Sequence, residues 1–224
     1  MPKASTRKVT TVHEHKRRVK PSLKNPKGIT LVDQHLRRIP GTYLDPFEIQ
    51  RVFSEYDRKN IVYPAVGKLP EYKEKSDKFD NQIAVWTDYF NKKFKIDPPL
   101  EPNVVKALIA SESSFNSSAR TRVAIGIAQI TKSTLKILQD PNGEVKEFIF
   151  GKIRQKDLEN PDIAIPMGIR WLAWKRERAM NKLGRAPTNE EIILEYKGLL
   201  KSKSAYKNSA LEKYRTSYAS LTKK

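Results

Sequence analysis

The sequence predicts a mainly α-helical domain with minimal β-structure, preceded by a basic and largely irregular N-terminal arm. Beyond residue 80, apolar residues recur at helical spacing. The same region contains helix start and stop signals, such as Asn or Thr before a first turn and Gly after a last one. Residues 1–40 lack this periodicity and contain 11 Lys or Arg and two acids, a net charge of +9 out of +19. We therefore divide the chain into an arm (1–40), a connector (41–80) and a helical domain (81–224).

The arm is a candidate docking segment for an anionic partner. Its segments VHEHKRRV (12–19) and VDQHLRRI (32–39) share the pattern Val-x-x-His-x-Arg-Arg-aliphatic, either by duplication or by chance in so basic a stretch. Excess positive charge is typical of binding to nucleic acid, anionic lipid or an anionic wall polymer. All three histidines lie here, but the chain has no cysteine and the arm has few acids, so we expect no metal site.

In the connector and the first part of the domain, the helix signals are local. One short helix is predicted near residues 46–56, with Asp45 as N-cap and Pro46 at its first position. A second covers 81–94, and a third begins after Asn103 as its N-cap.

The middle of the domain is predicted to contain its non-helical part. Residues 116–131 are polar, then interrupted by Gly, then apolar, which favours a loop that returns through a buried segment. A helix follows over 131–140, and 141–152 is either a hairpin or an irregular excursion.

The strongest helix signals lie toward the end of the chain. Asn160 and Pro161 start a long helix, Gly184 ends it, and Pro166 is expected to kink or delay it. A Thr-x-x-Glu capping box (188–191) starts the next helix, and an amphipathic helix closes the chain.

Glu112 is the most unusual residue in these helices. It shares an apolar helix face with Val104 and Leu108, so we expect it to point inward or into a cleft floor. Burial without a partner would raise its pKa above the usual value of about 4.3 and keep it protonated, as a general acid requires. The alternative is a helix-boundary acid that reaches solvent or pairs with Arg120 or Arg122.

Three segments in the domain together resemble a known family. ESSF (112–115), GIAQIT (126–131) and EYKG (195–198) are similar to Glu-Ser-x-aromatic, Gly-Leu-Met-Gln-hydrophobic and Ala-Tyr-Asn-x-Gly. In this order these motifs are typical of lytic transglycosylases of the soluble type, in the lysozyme superfamily. The resemblance covers roughly the last 140 residues. It implies a lysozyme-like fold, peptidoglycan glycan strands as substrate and no cofactor.

The resemblance also assigns roles to individual residues. It implies that Glu112 is the single catalytic acid/base and that Gln129 hydrogen-bonds a sugar, although Gln129 taken alone is more simply interpreted as satisfying buried backbone groups. Tyr196 would stabilise positive charge at the reacting carbon, and Thr121 and Thr131 would be further substrate-binding residues. Framework roles are implied for Ser113, Phe115 and Gly126. The second candidate for the tyrosine role is Tyr206.

The chain departs from the family pattern at three positions. Lys197 replaces the asparagine, Glu195 replaces the alanine, and Ala128 replaces the methionine, which we expect to widen the cleft there. On the long helix, Trp171 and Trp174 are interpreted as packing, with sugar stacking as the alternative. The basic residues of that helix are interpreted as a solvated face: Arg170, Lys175, Arg176 and Arg178.

The function implied is cleavage of the MurNAc-β-1,4-GlcNAc bond with formation of 1,6-anhydro-MurNAc. One acid suffices for this reaction, and residues 113–139 contain no Asp or Glu. A muramidase on the same fold is the first alternative, with Asp140 or Glu144 as its second carboxylate. An inactive docking protein is the second, and nucleic-acid binding through the arm is possible but not favoured.

Localisation is predicted from two absences in the sequence. No apolar run approaches the roughly 18 residues of a membrane span, and residues 1–18 lack the apolar segment of a secretory signal. We therefore expect a protein made in the cytoplasm that reaches the wall through a phage virion or a secretion machine, docked by residues 1–40.

Overall fold

The computed structural model describes residues 9–12, 15–18, 27, 29–32, 35–38, 43–62, 66–145, 147–203 and 205–223. Its described helical elements are α1 (Pro46–Glu55), α2 (Glu74–Asp77), α3 (Asp80–Phe94), α4 (Pro102–Ser113), α5 (Lys132–Gln139), α6 (Pro161–Leu183), α7 (Asn189–Tyr196) and α8 (Tyr206–Thr222). Short 3-10 helices cover Arg58–Asn60 and Gln155–Glu159. The mainly helical, lysozyme-like architecture predicted from the sequence is confirmed.

The arm contains more regular structure than the sequence predicts. Strands β1 (Val9–Val12) and β4 (His35–Arg38) pair antiparallel, as do β2 (His15–Arg18) and β3 (Ile29–Val32). The β-branched residues that begin each copy of the repeat favour this conformation, a signal that the charge of the segment obscured. His13 lies outside the described residues.

The strand register pairs residues of one copy of the repeat with residues of the other copy. Val12 pairs with His35, while His15 pairs with Val32. Each of these pairs joins the Val of one copy to the His of the other, so the copies occupy equivalent places in the ribbon.

The segment after the arm packs onto the helical domain. Asp45 caps α1 as predicted, with its side chain accepting from the Glu48 N–H, and Pro46 is the first helical residue. The Leu44 N–H donates to the Ile149 carbonyl at 2.7 Å, and α1 packs on α3 and α6. Leu44 and Leu69 are both buried in the shared hydrophobic core.

Helix α4, which carries Glu112, begins earlier than predicted. Its N-cap is Glu101, with Pro102 at the first position, so the predicted Asn103 cap is wrong. The Asn103 side chain instead accepts from the Gly67 N–H at 2.8 Å and donates to the Leu221 carbonyl at 3.4 Å. Asn103 therefore joins distant segments of the chain, whereas an N-cap would bond its own helix.

Helix α6 is the central element of the domain. Asn160, Pro161 and Gly184 bound it as predicted, and it continues through Pro166 as a single helix. It packs on α3, α5 and α7, and α4 packs on α3 and α8. None of the described helices combines the length and apolarity required to cross a membrane.

Among the described residues of the domain, the named strands form one short hairpin. Strands β5 (Ala124–Ile125) and β6 (Ile130–Thr131) pair antiparallel, with Ala124 opposite Thr131. The connecting turn contains Gly126 at φ 79° and Gln129 at φ 47°. The predicted loop that returns through a buried segment is thus confirmed. The described residues of 141–152 form an irregular excursion with a parallel bridge from Tyr43 to Ile149.

Gly126→Ala is expected to destabilise the domain by about 2–4 kcal/mol, since positive φ strain and forced repacking add. A Cβ at Gly126 would lie 1.9 Å from the Leu158 carbonyl oxygen. The matched control is Gly184→Ala, which has φ 69° but nothing within 4 Å of the added Cβ. It should cost only about 1 kcal/mol from the backbone conformation. Urea unfolding of both variants tests this. Equal losses in the free energy of unfolding would show that the close approach to Leu158 adds no cost at Gly126.

Candidate functional site

Glu112 lies where the apolar face of α4 leaves the core. Val104 and Leu108 on the same face are buried, whereas the Glu112 side chain keeps 16% of its surface exposed. One residue later α4 ends, and Ser114 and Phe115 both adopt positive φ, 53° and 61°. This reversal of the chain places the carboxyl at the edge of the core, accessible from solvent.

The Glu112 carboxylate has a cationic partner that the sequence analysis did not predict. The Lys197 ammonium contacts Glu112 Oε1, and the Lys197 side chain is 17% exposed. The two predicted alternatives are occupied differently, since Arg120 pairs with Glu159 and Arg122 is exposed. The carboxyl therefore forms an ion pair, and the expectation of an acid without a charged partner is wrong.

Tyr196 lies partly buried next to this pair. Its hydroxyl donates to the Ala128 carbonyl at 2.7 Å. Burial, and then the charge of Glu112, raise the pKa of Tyr196 well above its usual value, so the phenol stays neutral. The fallback residue Tyr206 is exposed at the start of α8, so the environment of Tyr196 fits the proposed role better.

Ala128 does not widen the cleft in the way the sequence analysis expected. Its side chain is buried, and a Cβ added at Gly168 of α6 would lie 2.7 Å from the Ala128 Cβ. The small side chain therefore permits a close approach between the turn and α6. The methionine of the family pattern would need that space.

Gln129 stabilises the turn between β5 and β6. Its side-chain amide donates to the carbonyls of Gly126 at 2.8 Å and Ala119 at 3.2 Å. These contacts fit the interpretation in which Gln129 satisfies backbone groups. They leave its amide oxygen as the group with which it would bind a sugar.

The Thr and Ser residues predicted near the site form hydrogen bonds to backbone groups close to them in sequence. Thr121 Oγ1 accepts from the Ala124 N–H at 3.0 Å, and Thr131 caps α5 by accepting from the Thr134 N–H at 3.0 Å. Ser113 Oγ donates to the Ile109 carbonyl at 3.3 Å within α4. Their contacts indicate that they shape the loops around Glu112.

Phe115 packs beneath the end of α4, as expected of a framework residue. It is buried, with its ring centroid 5.2 Å from that of Tyr72 and 6.4 Å from that of Phe79. These contacts fix the chain immediately after Glu112.

Glu195 anchors the helix that presents Tyr196 and Lys197. Its carboxylate is 2% exposed and lies 2.7 Å from Lys182 Nζ, with Arg178 Nε at 3.2 Å and Lys175 Nζ at 3.8 Å. All three cations belong to α6. Sequence reasoning noted Glu195 only as a departure from the family pattern, but the spacing of these cations on one helix face was a usable signal.

Three of the four basic residues predicted to form a solvated face on α6 are buried, whereas the Arg178 side chain is 42% exposed. Arg170, Lys175 and Arg176 are buried. The Arg170 guanidinium donates to the Glu147 carbonyl at 3.1 Å, and burial lowers the pKa of Arg170 to about 10. The prediction of a solvated face is wrong because long side chains can cover apolar surface while their charged ends find partners.

The two tryptophans of α6 pack against each other. The Trp171 and Trp174 rings stack with centroids 4.7 Å apart, and both side chains are buried. The Lys175 ammonium lies 4.7 Å from the Trp171 ring centroid. These contacts support the packing interpretation.

The two candidates for the second carboxylate of a muramidase, Asp140 and Glu144, contact residues that are not on the Glu112 helix. Asp140 Oδ1 accepts from the Asn142 N–H at 2.9 Å, and Glu144 pairs with Arg178 at 3.0 Å. Neither contact directs a carboxylate toward Glu112, so the geometry gives the muramidase alternative no specific support.

Comparison with known protein families gives one match. The family model described as "Transglycosylase SLT domain" matches residues 89–213. The match covers more than half of the 224 residues and includes all three motifs, from Glu112 to Gly198. Comparisons with curated proteins and with solved structures give no match.

Proposed function

Because this chain belongs to the transglycosylase SLT domain family, which comprises peptidoglycan lytic transglycosylases, we propose that Glu112 is its single general acid/base. The product that we propose is 1,6-anhydro-MurNAc, released from the MurNAc-β-1,4-GlcNAc bond of glycan strands. The observation that carries this proposal is the position of Glu112, a carboxyl that is 16% exposed at the end of a buried helix, with Tyr196 beside it.

The proposed reaction has two proton transfers through one carboxyl. Protonated Glu112 gives its proton to the glycosidic oxygen, the C1–O bond breaks, and GlcNAc leaves as an alcohol. The MurNAc C1 then carries oxocarbenium character, which the neutral Tyr196 and the Glu112 carboxylate face. The carboxylate removes the proton of the MurNAc 6-hydroxyl, and O6 forms the new bond to C1. Glu112 is thereby reprotonated, and no water is consumed.

The position of Tyr196 supports this role for a physical reason. Its hydroxyl is held by the Ala128 carbonyl, so the oxygen lone pairs are oriented by a fixed hydrogen bond. Its raised pKa means that it does not compete with Glu112 as a proton carrier near neutral pH. The buried Glu195 cluster fixes α7, which holds this tyrosine in place.

Product analysis tests the proposal and separates it from hydrolysis. Purified peptidoglycan is digested in water enriched in ¹⁸O, and the soluble muropeptides are weighed by mass spectrometry. Anhydro-muropeptides without ¹⁸O are expected. Reducing ends carrying ¹⁸O would contradict the proposal and favour a muramidase, while no release from several types of wall would favour an inactive docking protein.

We also propose that residues 1–40 dock the enzyme on a virion or secretion-machine protein. The net charge of +9 on this segment supports an acidic partner surface. Detection of the protein in purified particles, or in a purified secretion complex, tests this. Its absence from both would overturn the docking proposal and leave the catalytic one unaffected.

A further inference from the structure

Lys197 forms an ion pair with the carboxyl that we propose to be catalytic. Its ammonium contacts Glu112 Oε1 and has no other polar partner among the described residues. Glu112 must be protonated and open toward the glycosidic oxygen for the first step of the proposed reaction. The ammonium contacts an oxygen of the carboxyl that would have to face the glycosidic oxygen, so the pair has to separate when substrate enters.

The Lys197 side chain is able to move, in contrast to the cations of the neighbouring cluster. Lys182 and Arg178 converge on a carboxylate that is 2% exposed, whereas both members of the Lys197–Glu112 pair reach solvent. A lysine ends in a compact charge on a flexible four-carbon stem. Exchange of one carboxylate for another at its tip therefore requires only side-chain rotation.

A second ammonium lies at the same end of α4. Lys213 of α8 is exposed, and its Nζ lies 2.6 Å from Ser114 Oγ, two residues after Glu112. The contact is with a neutral hydroxyl, and no carboxylate among the described residues forms an ion pair with Lys213. Two cations thus border the position where the reacting sugar would lie.

We propose that Lys197 determines specificity for anionic glycan, by leaving Glu112 and pairing with a carboxylate of the bound substrate. This inference rests on the proposed function. The exchange keeps the ammonium paired as the cleft loses water, and it leaves the Glu112 carboxyl free to approach the glycosidic oxygen. Peptidoglycan offers carboxylates from two sources: the lactyl group of muramic acid once its peptide is removed, and the stem peptide itself.

The test compares substrates with free and with blocked carboxylates. Peptide-bearing glycan fragments, and the same strands stripped by an amidase, are each used directly and after carbodiimide coupling to methylamine, which makes the carboxylates neutral. Wild type is compared with Lys197→Asn, which restores the family residue. The matched control is Lys201→Asn, an exposed lysine four residues later that also removes one charge.

For wild type and Lys201→Asn, we expect blocking to raise KM about tenfold or more, the size of one charge-assisted hydrogen bond. For Lys197→Asn, blocked and free substrates should give similar KM values. An effect of blocking on stripped strands identifies the lactyl carboxylate, and an effect only on peptide-bearing strands identifies the peptide. If blocking affects Lys197→Asn as much as wild type, the specificity role is overturned.

A binding measurement keeps this outcome separate from failure of the proposed function. Sedimentation with insoluble walls, native or blocked, is measured in the cold for the same three proteins. If wild type releases no anhydro product, the proposed function fails, yet the binding ratios still decide the role of Lys197. A blocking effect equal in all three proteins would overturn it.

Discussion

Glu112→Gln is expected to lower kcat on peptidoglycan by about 10²- to 10⁴-fold, the usual contribution of a general acid/base. The amide has the shape of the acid but neither donates a proton to the glycosidic oxygen nor accepts one from the 6-hydroxyl. Since both steps of the proposed reaction use this carboxyl, the loss should appear in kcat. Release of anhydro-muropeptides over time, at saturating substrate, is the measurement.

Two controls make the Glu112→Gln result specific. The variant loses a partly exposed ion pair, so its free energy of unfolding should change by no more than about 1 kcal/mol. Glu144→Gln removes an acid that pairs with Arg178 and should keep near wild-type activity. A large loss in Glu144→Gln, or activity remaining in Glu112→Gln, would assign the chemistry to a different carboxylate.

Local signals in the sequence predicted the helix boundaries well. Asp45, Asn160 and Thr188 all cap the helices that follow them, because a cap depends on residues within one turn. The prediction that Asn103 caps α4 was wrong because a cap prediction considers only residues close in sequence. The Asn103 side chain is instead bonded to Gly67 and Leu221, which are distant in sequence.

The candidate site was predicted in its parts but not in its electrostatics. The motifs identified Glu112 and Tyr196, and the family match includes both. The contact between Glu112 and Lys197 spans 85 residues of sequence. Sequence spacing measures proximity only within one helix or strand, so no periodicity could reveal this pair. The Glu195 cluster was partly readable, because its three cations lie on α6.

In the arm, the sequence contained a local signal for β-strands, but the basic composition of the segment led to a prediction of irregular structure. Its basic composition suggested irregular chain, while Val and Thr residues at 9–12 and 29–32 favoured strands. The repeat is visible in the sequence, but the sequence does not show that its two copies pair with each other as strands. Only the register joins the Val of one copy to the His of the other.

The second large effect concerns stability and the buried Lys106 of α4. Its side chain is 0% exposed, and its ammonium lies 2.7 Å from Asp80 Oδ1 and 3.1 Å from Asp77 Oδ1. It also donates to the Gly67 carbonyl at 2.7 Å. Hydrogen bonds from Lys68 and then Lys106 lower the pKa of Asp77 to about 2, while burial raises that of Asp80. This cluster ties the segment before α3 to the helix that carries Glu112.

The double variant Asp77→Asn/Asp80→Asn should lower the free energy of unfolding by about 3–5 kcal/mol, because it leaves a buried ammonium without a counter-charge. Lys106→Met should cost less than half of that. It removes the buried charge itself, and the two carboxylates left behind reach solvent, with Asp77 still paired to Lys68 at 2.7 Å. Urea unfolding at neutral pH, where Asp77 is ionised, measures both. If Lys106→Met proves as damaging as the double variant, attraction within the cluster outweighs desolvation of the lysine. In either case the loss is one of folding, so the folded fraction of Lys106→Met should cleave peptidoglycan at the wild-type rate, unlike Glu112→Gln.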